Sequence, residues 1–412
     1  MRGHNPPVSS IPSPADVPGA PASTASLARG GTAGAAAGAS LLALAGGHFA
    51  VDCCTGIWPV FKTLAHLDIV RAGLIATVGS MAGNGLQVVF GLLADRGWRR
   101  HLVLGGVCLA GTMTLVPFAV RSYLLMFALV LATQLGSAAF HPSATGAAGA
   151  LSRSHTGLMI GLFLAGGYGG YSLSQVLFSS VYRHSPALTP LIALVPLAAA
   201  AAIAVRWPST APSTRPEPEP RGRLHLPLRP LAPLFAVQVF TNMVGVSVIF
   251  LLPDLLLARQ APPWMVQGGG HFGLVAGGCL GLLPAGHAAD RWGARRVLLV
   301  ANGAALLLLA LLLGRSTASA VDLGLVTAFG AFNAMNGVVS VAEGNRLLPG
   351  QASGVSAMLM GLAWCVGALG PVTAGWLADP TRGGTPAAAL AWLGLALPLA
   401  LAASLAVRPR RT

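Results

Sequence analysis

Twelve long apolar stretches constrain the fold of this sequence more than any other feature. A helix needs about 20 mostly apolar residues to cross the hydrocarbon core of a bilayer, and each stretch is close to that length or longer. The stretches cover residues 37–61, 71–94, 102–120, 123–149, 156–181, 187–206, 231–257, 265–288, 297–314, 319–344, 354–378 and 385–407. With only 9% charged residues, the chain cannot cover a soluble surface of its size. We therefore predict an all-α membrane protein with twelve transmembrane helices.

The distribution of Pro, Gly and Arg divides the chain into five regions. Residues 1–34 lack apolar periodicity and are predicted to form a disordered cytoplasmic tail. A Pro- and Arg-rich cytoplasmic linker at 207–230 separates six spans from six. The spans in 35–206 and those in 231–407 are each expected to form a six-helix bundle, and 408–412 form a second short tail.

Basic residues are distributed unequally between the two sides of the predicted membrane. If the N-terminus is cytoplasmic, 18 of the 25 Arg and Lys residues fall on the cytoplasmic side and 7 on the other, and Lys62, just after the first span, is predicted to lie in an external loop. Cytoplasmic loops are enriched in Arg and Lys, so we predict that both termini are cytoplasmic. No nucleic-acid partner is needed to explain the net charge of +14, because the basic residues are scattered between apolar spans.

A basic loop occurs twice, at the same place in each group of six spans. The first copy begins at Gly91 and the second at Gly286, and their aspartates, Asp95 and Asp290, are 195 residues apart. A duplicated membrane unit with matching cytoplasmic turns is typical of transporters in which two halves alternate around a midplane site. The sequence therefore predicts two pseudo-symmetric bundles.

The two loops are expected to form a cytoplasmic gate. A carboxylate there can cap the N-terminus of a helix in the opposite half, while the arginines bind acidic or carbonyl groups. Such contacts would close the cytoplasmic side until substrate or a proton shifts the balance. The predicted gate residues are Gly91, Asp95, Arg96, Arg99, Arg100, Gly286, Asp290, Arg291, Gly293, Arg295 and Arg296.

Polar side chains inside the spans fall on single helical faces of spans one, two, four, five, seven and ten. Unpaired polar groups are costly in hydrocarbon, so these faces should point into the bundle or a wet cavity. Spans three, six and twelve carry no such residues in their middles and span nine carries only Asn302, so these four spans are predicted to face lipid. The predicted cavity residues are Asn84, Gln87, Gln134, His141, Tyr168, Tyr171, Gln175, Gln238, Asn242, Asn333, Asn336 and Trp364.

Span one carries a carboxylate well inside the membrane, Asp52, with His48 one helical turn before it. An acid in this position can exchange a proton between the two sides as its surroundings alternate, and the histidine can tune it or share its proton. A structural aspartate bonded to a neighbouring helix is the alternative. We predict that Asp52 and His48 are the proton-coupling residues.

The absence of Arg and Lys at mid-depth bears on the substrate. A dianion would need a fixed cation or several helix N-termini to replace its hydration, so we expect a neutral, weakly charged or cationic amphipathic molecule. No cofactor and no metal site is predicted, because the five cysteines lie in apolar stretches without zinc-ligand or redox spacing. A copper site that uses Cys53, Cys54 and Met81 is kept as an alternative.

The two loops resemble the signature Gly-x-x-x-Asp-Arg-x-Gly-Arg-Arg of the major facilitator superfamily, and the resemblance covers about residues 37–407. The copy at Gly286 has one extra residue, and the copy at Gly91 has its second glycine one place early. This resemblance implies two six-helix bundles that transport a solute by alternating access.

Further blocks resemble the fosmidomycin resistance protein family more narrowly. They are Gly47-His48 with Asp52, Ala139-Phe140-His141-Pro142, Leu347-Leu348-Pro349-Gly350 with Ser353-Gly354, and Gly370-Pro371 with Gly375 to Asp379. That family exports drugs in exchange for protons, so the resemblance implies efflux, with Asp52 and His48 near the coupling site. Antiporters of the superfamily usually carry Gly-Pro in span five, where this chain has Ser174-Gln175.

The expected function is that of a secondary active transporter, a proton-coupled antiporter that exports small organic molecules or drugs. We expect it in a bacterial inner membrane, as a monomer, and not as an enzyme, because no catalytic set of residues and no phosphate-cradling loop occurs. Two alternatives stay open. One is an importer of a small metabolite or of copper, and the other is a non-transporting membrane sensor or assembly factor on the same fold.

Overall fold

The computed structural model describes residues 24–152, 154–208, 228–349 and 351–409. Throughout these ranges the regular structure is helical, and no strand is formed. Helices are the expected solution in lipid, because each helix satisfies its backbone N–H and C=O groups within its own segment. The predicted all-α class is confirmed.

The N-terminal half contains seven α-helices joined by short turns. They are α1 (Thr24–Thr55), α2 (Trp58–Leu64), α3 (Ile69–Leu93), α4 (Arg99–Ala110), α5 (Tyr123–Gly149), α6 (Thr156–His184) and α7 (Leu194–Val205). A π-helical turn, Ala94–Trp98, joins α3 to α4, and two 3₁₀ segments, Gly111–Ala119 and Pro186–Ala193, follow α4 and precede α7.

The C-terminal half contains nine α-helices, several of which are parts of one broken span. They are α8 (Leu228–Ala258), α9 (Gly270–Trp292), α10 (Ala294–Leu313), α11 (Ala320–Leu347), α12 (Ala352–Ser356), α13 (Ala363–Gly367), α14 (Gly370–Leu377), α15 (Pro386–Gly394) and α16 (Ala396–Ala406). Two π-helical turns, Met265–Gly269 and Ala357–Leu362, and a 3₁₀ turn, Pro380–Arg382, complete the half.

These elements account for twelve membrane crossings. Nine helical stretches are long and apolar enough to cross a membrane, and a tenth is a bent pair that ends at Trp292. One of the nine, Ile69–Ala119, has 51 residues, which at about 1.5 Å per residue exceeds twice the thickness of the hydrocarbon core. It is two crossings, because Gly97 interrupts it with a φ of 99° that glycine adopts readily. The twelfth, α6, has 29 residues but is less apolar, since glycine, serine and tyrosine interrupt it.

The first helix is longer than the sequence predicts. It begins at Thr24, within the segment 1–34 that the sequence predicts to be a disordered tail. An Ala- and Gly-rich extension of a helix carries no apolar periodicity, so sequence patterns mark the membrane core of a helix better than its end. Residues 1–23, and 209–227 of the predicted linker, lie outside the described residues.

The two halves contact each other closely at the end of the bundle opposite the basic loops. There the Val372 N–H donates to Thr77 Oγ1 over 3.0 Å, and a Cβ on Gly73 would lie 2.4 Å from the Pro371 carbonyl oxygen. Small residues allow such close backbone approach between helices. We call this contact surface the seam. Its residues include Lys62, Thr63, Gly73, Thr77, Tyr171 and Gln175 of the N-terminal half, and Asp254, Gly268, His271, Pro371 and Val372 of the C-terminal half.

Candidate functional site

Three ionisable side chains meet in the N-terminal half, near the middle of the span Ala36–Leu64. His48 Nε2 lies 3.2 Å from one carboxylate oxygen of Asp52, and His141 Nε2 lies 3.3 Å from the other. The two Nε2 atoms are 3.1 Å apart. His48 and Asp52 share one face of α1 because they are four residues apart, and α5 supplies His141. We call these three residues the His-Asp-His cluster.

Backbone carbonyls fix the position of one proton on each imidazole. His48 Nδ1 lies 2.9 Å from the Phe163 carbonyl oxygen, and His141 Nδ1 lies 2.8 Å from that of Ser137. Because a carbonyl oxygen only accepts, we assign one proton to each Nδ1; that of His141 also lies 3.1 Å from Ser137 Oγ. In a neutral imidazole Nε2 then presents a lone pair, here toward the other imidazole and Asp52. These electron-rich groups repel one another unless a proton or another cation lies among them.

Aromatic rings and a glycine hold His48 in place. Its ring stacks on Phe163 with centroids 4.3 Å apart, and the Phe140 centroid lies at 6.0 Å. Gly167 of α6 lies so close that a Cβ there would be 2.3 Å from His48 Nε2. The side chain of His48 is 4% exposed, whereas that of His141 is 27% exposed. His48 is therefore the enclosed member of the cluster, while His141 and Asp52, which is 19% exposed, meet its surroundings.

The grouping of the cluster differs from the prediction in one respect. The sequence pairs Asp52 with His48 and places His141 among the cavity residues. In the structure His141 contacts the same carboxylate as His48. Gln134 and His141 are seven residues apart and share one face of α5. That spacing does not say which helix covers the face.

Five other predicted cavity residues of the N-terminal half are half-buried on α3, α5 and α6, namely Asn84, Gln87, Gln134, Tyr168 and Tyr171. Gln87 Nε2 donates to Asn84 Oδ1 over 3.4 Å, so these two amides pair with each other. Gln134 packs against the glycines of α3. Tyr168 and Tyr171 also lie on α6, after Phe163, whose carbonyl oxygen accepts the hydrogen bond from His48.

In the C-terminal half, three predicted cavity amides lie on α8 and α11. Asn242 Nδ2 donates to the Trp364 carbonyl oxygen over 3.4 Å, while the Trp364 side chain stays exposed. Gln238 Nε2 and Asn333 Oδ1 are buried without a hydrogen-bond partner among the described residues. Leaving such groups unpaired costs about 1–3 kcal/mol each, so they are suited to bind water or a polar ligand.

Asn336 does not lie with the other cavity residues. It is buried, and its Oδ1 accepts a hydrogen bond from Asn302 Nδ2 over 2.9 Å; the same nitrogen contacts Ser404 Oγ at 3.3 Å. This small polar cluster joins α10, α11 and α16. The prediction that Asn336 lines the cavity is corrected, because its partner on a span predicted to face lipid satisfies it inside the half.

Gln175 is the second cavity residue that the structure relocates. It is fully buried at the seam, where a Cβ on Gly268 of the opposite half would lie 2.9 Å from Gln175 Cβ. Neither atom of its amide has a hydrogen-bond partner among the described residues. Gln175 therefore packs between the halves, in the place where the sequence departs from the Gly-Pro of span five.

The seam contains an ion pair that the sequence does not predict. Lys62, predicted to lie in an external loop, is 2% exposed, and its ammonium group binds the Asp254 carboxylate of the opposite half. Thr63 Oγ1 donates to the other oxygen of Asp254 over 2.9 Å, and Lys62 Nζ lies 4.5 Å from the centroid of the Phe250 ring. The loop prediction for Lys62 is wrong. The sequence sets Lys62 apart only by residue type, because it is the single lysine in a chain with 24 arginines.

His271 of α9 is a second seam residue absent from the prediction. Its Nε2 donates to the Tyr171 carbonyl oxygen over 2.8 Å, and the two rings meet edge to face with centroids 4.9 Å apart. Nδ1 has no partner among the described residues. No sequence signal marks this histidine, because its partner is a backbone carbonyl of the other half.

In the basic loops, each described carboxylate pair lies within its own half. Asp95 Oδ1 accepts from Arg99 Nη2 over 3.1 Å, and Asp290 binds Arg346 of α11, which also contacts Glu343 at 3.4 Å. These pairs differ from the predicted capping of a helix in the opposite half, because the halves meet at the seam at the other end. Of the remaining gate residues, Arg96, Arg100, Arg291 and Arg296 are exposed, Gly91, Gly286 and Arg295 are half-buried, and Gly293 is buried.

Comparison with known proteins gives the family and the fold. Residues 39–368 match the family model described as Major Facilitator Superfamily. No curated protein matches the chain. Among solved structures, the nucleoside transporter NupG superposes with a TM-score of 0.71 at 15% identity, over 89% of this chain and 98% of that chain. A bacterial homologue of the human lysosomal transporter Spinster, inward-facing and unoccupied, gives 0.68 at 14% identity, over 92% and 99%.

Two related bundles of six apolar helices, with polar side chains inside them, define a multi-pass membrane protein of the transporter class. The family match covers most of the spans, and the chain belongs to the major facilitator superfamily. The predicted twelve-helix fold in two pseudo-symmetric halves is thereby confirmed. The narrower resemblance to fosmidomycin resistance proteins stays a prediction.

Proposed function

We propose that this protein is a proton-coupled antiporter that exports small organic molecules or drugs by alternating access. The observation that carries the proposal is the His-Asp-His cluster, in which two imidazoles with fixed Nδ1 protons direct Nε2 at one carboxylate. With one added proton the cluster is an imidazolium–carboxylate pair without net charge, and without that proton it carries one negative charge. Two such states suit a site that moves one proton in each cycle.

Asp52 and His48 are the proton-coupling residues; His48 is enclosed, while Asp52 and His141, at 19% and 27% exposure, connect the site to its surroundings. The difference in exposure supports this division, since a proton has to reach the cluster from water. Release of the proton leaves a negative charge that favours entry of a cationic substrate. Binding of the proton removes that charge and favours release, which gives exchange of one for the other.

We infer that the basic loops and both termini face the cytoplasm of a bacterium, in its inner membrane. The excess of basic residues on that side supports this orientation. The seam then lies at the outer face and closes the path from outside. A monomer with this seam closed accepts its substrate from the cytoplasm, as an exporter requires.

The basic loops act as the gate of the opposite state. When the seam opens, the cytoplasmic ends approach, and the carboxylates of Asp95 and Asp290 become available to helix N-termini across the bundle. The exposed position of Asp95 in its pair with Arg99 supports this exchange of partners.

The cavity amides indicate the chemistry of the substrate. The unpaired groups of Gln238 and Asn333 offer hydrogen bonds, while the one lysine near the spans is engaged by Asp254. This set favours neutral, weakly charged or cationic molecules over dianions. A second candidate is import of a small metabolite, which is supported by Ser174-Gln175 in the place where antiporters of the superfamily usually carry Gly-Pro.

The test measures coupled fluxes in vesicles. Purified protein is reconstituted into vesicles with an acidic interior, and uptake of the cationic dye ethidium is followed together with internal pH. We expect dye accumulation and alkalinisation in the wild type, and neither in Asp52→Asn. Asp68→Asn is the matched control, because Asp68 is an exposed cap of α3 and asparagine caps equally well.

Each outcome decides one part of the proposal. Ethidium movement without a pH change in the wild type would contradict proton coupling. Equal coupled exchange in Asp52→Asn would remove Asp52 from the mechanism. Uptake of uridine driven by the reversed gradient, with an acidic exterior, and no ethidium exchange would favour the importer.

A further inference from the structure

We propose that the His-Asp-His cluster is a binding site for one divalent transition-metal ion, which takes the place of the shared proton. This inference stands apart from the proposed transport, because metal binding by the purified protein needs no flux. The candidate ligand atoms are Nε2 of His48, Nε2 of His141 and the carboxylate oxygens of Asp52, and they lie within 4.8 Å of one another.

The spacing of the ligand atoms fits a tetrahedral ion. The two Nε2 atoms are 3.1 Å apart, Asp52 Oδ2 lies 3.2 Å from His48 Nε2, and Asp52 Oδ1 lies 3.3 Å from His141 Nε2, so the carboxylate presents a different oxygen to each imidazole. Bonds of about 2.0–2.1 Å from zinc to nitrogen or oxygen place neighbouring ligands of a tetrahedral site about 3.3 Å apart. An ion therefore fits among these atoms with small adjustments of the side chains.

The hydrogen bonds that both histidines make through Nδ1 are of the kind found in metal-binding histidines. A histidine that binds a metal through Nε2 almost always donates its Nδ1 proton to a carbonyl or carboxylate, which orients the ring. His48 donates to the Phe163 carbonyl and His141 to the Ser137 carbonyl.

The ligand set selects the class of ion. Two imidazoles and one carboxylate suit Zn²⁺, Co²⁺ and other divalent transition ions, while Mg²⁺ and Ca²⁺ prefer oxygen ligands. Cu⁺ prefers sulfur, and the adjacent Cys53 and Cys54 are free thiols outside the group of converging ligands. Three protein ligands leave one tetrahedral position for water or a substrate group, on the partly exposed side of His141.

The charge distribution in the His-Asp-His cluster favours a bound cation. Asp52 and two Nε2 lone pairs face one another, and the nearest elements that pack on His48 contribute Phe140, Phe163 and Gly167, none of which carries a charge. A divalent ion satisfies all three electron-rich groups at once, which a single proton cannot do.

The experiment uses Co²⁺ as the probe on the full-length protein in detergent, free of any polyhistidine tag. Four-coordinate Co²⁺ absorbs visible light far more strongly than the hydrated ion, so a titration reports both affinity and geometry. We expect one bound Co²⁺ per protein. Asp52→Asn and His141→Gln should weaken binding at least about tenfold, the loss seen for disturbed metal sites.

A second pair of variants separates a ligand from a structural residue. His141→Cys keeps a ligand atom and should bind Co²⁺ with a new thiolate-to-cobalt charge-transfer band in the near ultraviolet. His271→Gln is the matched control, a buried histidine outside the cluster, and should bind Co²⁺ as the wild type does. Thermal unfolding of every variant reports whether it folds.

Absence of a one-to-one complex in folded wild-type protein, or equal binding by folded Asp52→Asn and His141→Gln, overturns the metal site. Proton-coupled flux in the presence of a chelator, with no Co²⁺ binding, leaves the proposed function and removes this inference. Co²⁺ binding with the expected variant pattern, but no flux, would support the metal site and contradict the proposed transport.

Discussion

Lys62, which is buried, and Asp254, whose side chain is 19% exposed, form an ion pair between the two halves of the bundle. The pair lies at the seam, and Thr63 adds a second hydrogen bond to the same carboxylate. Two buried charges offset their lost hydration only while they remain together. The seam therefore has one strong contact that must be broken, and its two charges rehydrated, whenever the halves separate at this end.

Replacement of one partner should open the seam. Lys62→Met leaves the partly exposed Asp254 carboxylate without its cation, which should destabilise the closed seam by about 3 kcal/mol, the lower end of the range for buried pairs. Backbone hydrogen exchange of Met265–Gly269, at the edge of the seam, should then become faster. The double variant Lys62→Met with Asp254→Leu should recover most of the protection, and failure to recover would mean that the pair does not hold the seam.

Gly167→Ala should disturb the His-Asp-His cluster through sterics alone. The added methyl group would lie 2.3 Å from His48 Nε2, so the imidazole must move. Overpacking of this kind costs about 1–3 kcal/mol, and proton-coupled ethidium flux should fall with the thermal midpoint. Gly161→Ala on the same helix meets nothing within 4 Å and should keep both. Wild-type behaviour of Gly167→Ala would show that His48 has room to shift.

Asp322→Asn should lower stability without removing proton coupling. Asp322 is fully buried, and its carboxylate binds Arg259 at 3.2 Å and Arg315 at 3.0 Å while it closes a capping box with Ser319. Loss of the charge leaves two arginines without their common partner, for a cost of about 3–5 kcal/mol in the free energy of unfolding. Denaturation measures the loss, and the ratio of dye to proton movement should match the wild type. A changed ratio would place this clamp in the coupling mechanism.

Asp95→Asn tests the gate separately from stability. The exposed pair of Asp95 with Arg99 should contribute no more than about 1 kcal/mol to stability, so the thermal midpoint should hardly move. If Asp95 closes the cytoplasmic side in the opposite state, the variant should slow ethidium exchange and protect the seam from hydrogen exchange. Unchanged exchange kinetics would argue against the gate.

Much of the fold follows from local properties of the sequence. Apolar length predicts the spans, because it depends on residues close together in the chain. The repeated loop predicts the pseudo-symmetry, because each copy is a short local motif that can be recognised by itself. Helix ends are less predictable, as the start of α1 at Thr24 shows. The pairing of His48 with Asp52 also follows from the sequence, since a separation of four residues places two side chains on one helical face.

The membrane fold, its duplication and the position of Asp52 are thus properties of the sequence by itself. Packing between distant helices alone decides that His141 completes the cluster, that Asn336 turns to Asn302, and that Lys62 is buried against Asp254. The physical reason is that periodicity specifies which face of a helix a residue occupies. The partner that covers that face is set by how all the helices fill space together, and in a bilayer this choice depends on close packing and hydrogen bonds rather than on hydrophobicity.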